Sequence, residues 1–215
     1  INYGLLNIKK EVRINHHPRL FSLYISKKRW KSNMEFQPSQ FHLKSKKNPF
    51  LFTADFRPGN KVIVKAIVKF KKILSPFKFL INLFREYLIF SNIFLEPRYG
   101  NLFLKRKKNF FEVYSKEKNI NKVFKNSSRI VYKFLLKTKK IFPFFHNYFP
   151  GFGADFHYFG TIPIKGKGKL SVNENCQLKA NNKIHIIDGS VFNFRKNKYP
   201  LGLIIANSRR IGKEL

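Results

Sequence analysis

Three places in the chain hold residue types that could do chemistry. His157 opens the run His157-Tyr158-Phe159-Gly160-Thr161; Asp188-Gly189-Ser190 follows Ile184-His185-Ile186-Ile187; Tyr199-Pro200 stands just before Leu201. A neutral imidazole, with an ordinary pKa of ~6.5, can take a proton from a reacting hydroxyl at physiological pH. A phenol donates a hydrogen bond but, at an ordinary pKa of ~10, is a poor base there. Aspartate followed by glycine suits a ligand contact, because glycine allows close backbone approach, and suits a plain turn or helix cap equally. His157 has a structural alternative too: an imidazole packed among Phe156, Tyr158 and Phe159 can be partly buried without reacting with anything.

Other chemistries are excluded by residue count and spacing. Cys176 is the single cysteine, so there is no intrachain disulfide and no multi-thiolate zinc site, as suits a reducing compartment; a cytoplasmic location is expected. His16 and His17 are adjacent, which points them in different directions on any regular element and disfavours a shared metal. Gly151-Phe152-Gly153 lacks the third glycine of a dinucleotide loop, whose place holds Phe156, and no strand leads into it. No glycine-rich phosphate loop, nucleophile elbow or paired-histidine zinc spacing occurs.

The run from His157 to Leu215 resembles the carboxy-terminal segment of the glucose-methanol-choline oxidoreductases, which are FAD enzymes. Their pattern is His-x-x-Gly-Thr, a strand ending in Asp-Gly/Ala-Ser, then seven residues after Ser-Val-Phe to a proline opening the last helix. Here the seven are Asn193 to Tyr199, and the spacing from Asp188 to Leu215 matches without a gap. Two weaker landmarks lie upstream. His17-Pro18 is similar to the His-Pro that begins the family's substrate half, with His16 where an aspartate is usual. Pro97-Arg98-Tyr99-Gly100 followed by Asn101-Leu102-Phe103-Leu104 is similar to its Pro-x-x-Gly turn and strand.

The resemblance implies hydride transfer from an alcohol to FAD, with sugars or polyols among the candidate substrates. It makes His157 the base and Tyr199 the second polar partner of the substrate oxygen, where the family usually has His or Asn. Asp188 and Gly189 would contact the ribityl and phosphate region of the flavin. Pro200 and Leu201 would open a helix whose N-terminal amides stabilise the anionic reduced flavin. It also places Ile1 just after the middle of a longer enzyme, so the amino-terminal FAD-binding half, with its glycine-rich fingerprint, becomes an expected partner of this chain. The Tyr199 departure leaves a catalytically degenerate homologue as an alternative.

Positioning such residues requires strands and helices in a recognisable order. Phe41-His42-Leu43-Lys44, Phe50-Leu51-Phe52-Thr53 and Lys61-Val62-Ile63-Val64-Lys65 read as strands, with Pro58-Gly59-Asn60 as a turn before the last. Phe77 to Phe94 reads as a helix ended by Pro97, and Arg129 to Lys140 as a helix capped by Ser127 or Ser128. Leu102-Phe103-Leu104 and Phe110 to Tyr114 read as a pair of strands, Pro143 to Gly153 as a loop, Lys183 to Asp188 as a short buried strand and Leu201 to Leu215 as a helix. The predicted fold class is α+β: a substrate-binding sheet region with helices, plus the carboxy-terminal strand and helix of an FAD-binding domain. Residues 1–35 would connect from the missing FAD domain, 36–150 would bind substrate, and 151–215 would complete the active site and the FAD domain.

Composition bounds these readings. With 43% hydrophobic residues and 26 Phe among 215, the chain can bury a real core and is not wholly disordered. The most apolar stretch, Phe77 to Leu95, is interrupted by Lys78, Asn82, Arg85, Glu86 and Asn92, so no transmembrane span is expected. Lysine and arginine number 44 against 11 acids, a net +33, which raises a basic nucleic-acid or ribosome-associated protein as the rival reading. The basic blocks are scattered rather than gathered in one tail, and Lys, Asn, Ile and Phe all have AT-only codons. That pattern suits solvated surface under genome bias and disfavours nucleic acid.

Overall fold

The computed structural model describes residues 11–30, 41–45, 52–70, 72–108, 110–116, 119–152, 158–193 and 201–215. They contain β1 (Val12–His16), β2 (Arg19–Ser26), β3 (Phe41–Lys44), β4 (Phe52–Pro58), α1 (Lys61–Phe70), α2 (Lys78–Leu83), β5 (Leu88–Leu95) and β6 (Asn101–Arg106). Then come β7 (Phe111–Ser115), α3 (Ile120–Lys137), β8 (Ile141–Tyr148), β9 (Tyr158–Phe159), β10 (Gln177–Leu178), β11 (Asn181–His185) and α4 (Leu201–Glu214). The class is α+β, with antiparallel pairing in each sheet. Two compact units divide the chain: Ile1–Pro18, Leu95–Lys118 and Gly151–Leu215 form one, Arg19–Phe94 and Asn119–Pro150 the other. The segments of the two units interleave along the chain.

The second unit is built on a five-stranded sheet of order β3-β4-β5-β2-β8. Along β2, Leu20, Ser22, Tyr24 and Ser26 are buried and alternate with half-buried Phe21, Leu23 and Ile25, the period-2 pattern of a strand with one deeper face. That face meets α3. Ser22 Oγ donates to Asn147 Oδ1 at 2.7 Å, Asn147 Nδ2 donates to Ser128 Oγ at 3.0 Å, and the Tyr132 and Phe145 rings lie 4.3 Å apart. The buried stripe Ile120, Val123, Phe124, Ser127, Ser128, Val131 and Leu135 has helical spacing and explains why α3 begins at Ile120. Ser127 and Ser128 therefore lie inside the helix and do not cap it. They are small side chains on its packed face.

Three further expectations are corrected. Lys61 to Lys65 is helical because Asn60 Oδ1 accepts from the Ile63 amide at 2.9 Å and one helical face buries Ile63 and Val64. Phe77 to Phe94 is not one helix: α2 stops at Leu83, and Leu88–Leu95 is a sheet strand paired with β2 from Arg19↔Phe94 to Ile25↔Leu88. A short apolar run buried on both faces has no period that separates helix from strand. Pro143 lies within β8, which is tolerated because β8 is the edge strand and its register with β2 shifts between Tyr24 and Ser26. The strand at Phe41–Lys44 is as expected; of Phe50-Leu51-Phe52-Thr53, Phe52 and Thr53 open β4, and Phe50 and Leu51 lie outside the described residues.

In the first unit, β7-β6-β1-β9 form an antiparallel sheet and β10-β11 a small hairpin. The expected pair around Leu102 and Tyr114 is present as β6 and β7, and the final helix as α4. Lys183 to Asp188 is not a buried strand. β11 ends at His185, and Ile184 and Ile187 are 41% and 38% exposed; among the described residues β11 pairs with the two-residue β10 alone. Val172, Cys176, Val191 and Ile211 form the local core, which anchors α4 through Ile211.

Candidate functional site

His157, Tyr199 and Pro200 lie outside the described residues, so the geometry of the site rests on their neighbours. Tyr158 and Phe159 form β9 beside β1, with His16 opposite Tyr158 and Asn15 opposite Phe159. Beyond this strand Gly160 takes φ +75, and a Cβ there would come within 2.5 Å of Asn15 Nδ2, so glycine is required for both conformation and space. The chain then runs alongside the second motif: the Gly160 amide donates to the Gly189 carbonyl at 3.4 Å, Ile162 to Ser190 at 3.0 Å and Ile164 to Val191 at 2.9 Å. Gly160–Ile164 and Gly189–Val191 are thereby laid side by side.

Asp188 ends the hairpin segment and caps a short 3-10 turn over Gly189–Val191, its Oδ1 accepting from the Ser190 amide at 2.9 Å. Its carboxylate is thus used locally, as a cap residue would be, while the side chain remains exposed. A Cβ on Gly189 would meet the Tyr158 carbonyl at 3.2 Å and Ile204 Cδ1 at 3.3 Å. Glycine here lets the turn approach both β9 and the first turns of α4. Leu201, the first residue of α4, is exposed, and Ser208 Oγ donates to the Ile187 carbonyl at 3.3 Å. Asp188, Gly189 and the start of α4 are therefore gathered in one neighbourhood. Together they offer an acceptor carboxylate beside a close-approach glycine and the start of a helix.

A further imidazole, His16 of β1, stands opposite Tyr158. It is buried, its Nδ1–H donates to the Gly100 carbonyl at 3.0 Å, and its ring lies 6.2 Å from that of Tyr158 and 5.8 Å from that of Phe152. Burial pushes its pKa down to about 4, outweighing the Gly100 hydrogen bond that opposes the shift, and neighbouring His17 lowers it further. It is a neutral imidazole at physiological pH. The available signal was the Val12, Ile14, His16 alternation, which sets His16 on one face of a strand with apolar residues. Among the described residues no cluster of three potential metal ligands occurs. Comparison with protein-family models and with curated proteins finds no match to this chain.

Proposed function

We propose that this chain is the carboxy-terminal half of a glucose-methanol-choline type oxidoreductase that oxidises an alcohol with FAD. The observation that carries the reading is the hydrogen-bonded alignment of Gly160–Ile164 with Gly189–Val191, with Ile204 of α4 against Gly189. FAD, when bound, supplies the two-electron acceptor for the alcohol's hydride. Within this reading His157 takes the hydroxyl proton on its imidazole nitrogen, and Tyr199 donates a hydrogen bond that orients the same oxygen. Asp188 and Gly189 border the cofactor from the hairpin end, and Pro200 and Leu201 border it from the start of α4, where the amides carry partial positive charge. The alcohol and the amino-terminal FAD-binding half are the partners this reading requires.

The test is anaerobic flavin reduction in the complete enzyme with a panel of alcohols. His157→Ala should slow reduction roughly 100-fold to 10,000-fold with FAD retained, the range for a positioned acid or base. Tyr199→Phe should cost less if it only orients substrate. Unchanged reduction in His157→Ala would remove the catalytic assignment and put the degenerate homologue ahead.

A further inference from the structure

The second unit carries an exposed apolar segment that the oxidoreductase reading does not use. Residues 72–84 form a 3-10 turn over Lys72–Phe77 and then α2, and neither contains a buried residue. Ile73 is 81% exposed, Phe79 77% and Leu83 62%, and Phe77, Leu80 and Phe84 are at least half exposed. From Lys72 to Arg85 the sequence contains no acid and three cations, Lys72, Lys78 and Arg85. The nearest following acid, Glu86, is ion-paired with Arg29 at 2.7 Å. Behind the segment lies an open pocket of about 630 Å³, lined from this side by Leu80, Ile81 and Phe84 and from the sheet by Leu23, Phe142 and Phe144.

Contiguous apolar exposure of this kind marks an interaction surface. Its occupant is indicated by charge. Large apolar tips interleaved with lysine and arginine and free of acids match a segment lying in the interface of an anionic bilayer, with the tips among the acyl chains and the cations at the headgroups. A net charge of +33 adds long-range attraction to such a surface. The pocket behind the segment offers acyl chains apolar wall to rest against. We propose that residues 72–84 dock this protein on the surface of an anionic phospholipid bilayer, without spanning it.

The proposal is independent of the flavin reading, and its test uses no cofactor. The 215-residue chain is sedimented with vesicles of phosphatidylcholine containing phosphatidylglycerol, and with phosphatidylcholine alone. Preferential binding to the anionic vesicles is expected, weakening as salt rises. Phe79→Ser with Leu83→Ser should weaken it about tenfold or more, through lost apolar insertion. Lys72→Glu with Lys78→Glu should weaken it about fivefold or more. These side chains are exposed, so both variants should keep the wild-type circular dichroism and thermal midpoint. Absence of binding, or binding to which neither pair of substitutions makes a difference, would overturn the proposal. So would self-association abolished by Phe79→Ser and Leu83→Ser, which would make the segment an interface between copies.

Discussion

Gly100 and His16 show how tightly the first unit is fitted at the level of single residues. A Cβ on Gly100 would fall 2.2 Å from the His16 carbonyl oxygen and 2.8 Å from its Nδ1, and the nearer atom is backbone that cannot rotate away. Gly100→Ala should cost about 1 to 3 kcal/mol in urea unfolding, the range for overpacking; an unchanged midpoint would show that the two segments separate easily. His16 makes a pH prediction whose sign follows from its folded pKa of about 4, below the unfolded ~6.5. The folded state binds this proton less well, so the contribution is complete above pH ~6.5 and lost as pH falls toward ~4, amounting to about 3 kcal/mol. Urea unfolding across that window should show a steeper slope in the wild type than in His16→Gln; equal slopes would place the titration elsewhere. The Gly100 contact is not written in local spacing, because it needs segments from distant parts of the chain to meet, whereas the Val12, Ile14, His16 alternation does set His16 on a strand face with apolar residues.

At the scale of elements, α1 is decided by one cap and one buried face against the strand preference of its own residues. Lys61-Val62-Ile63-Val64-Lys65 is rich in β-branched residues, yet Asn60 holds the Ile63 amide and its carbonyl accepts from Val64 at 3.0 Å. Asn60→Ala should lower stability by about 1 kcal/mol in thermal unfolding while Asn60→Asp retains most of it. Equal losses in the two variants would mean that the cap is not the cause. The same competition explains what was and was not legible. α4 and the β6–β7 pair were readable because their patterns are locally complete. β5 was not, since Leu88-Ile89-Phe90 and Ile93-Phe94-Leu95 are apolar on both sides of a central strand and carry no period. β8 was hidden by Pro143, which only an edge position permits. α3 was read short because Ser127 and Ser128 look like caps until their burial against the sheet is known.

At the scale of the whole molecule, sequence and structure divide the evidence for the site between them. The order of the residues from His157 to Leu215 is legible in the sequence, whereas the alignment of Gly160–Ile164 with Gly189–Val191 needed the fold. Strand burial at Ile184 and Ile187 was misread, because an apolar run says that a surface can be covered and not what covers it. The net charge of +33 remains distributed over the whole chain and so favours no single patch on its own. In the proposed flavin enzyme the phosphate-binding fingerprint would lie in another segment. The most direct measurement is the visible absorption spectrum of the product of the entire reading frame, purified beside the 215-residue chain and then given an alcohol without oxygen. The account predicts about one FAD per full-length chain, bleached by a substrate alcohol, and a 215-residue chain that is colourless. A colourless full-length product, or stoichiometric flavin on the 215-residue chain alone, would contradict it.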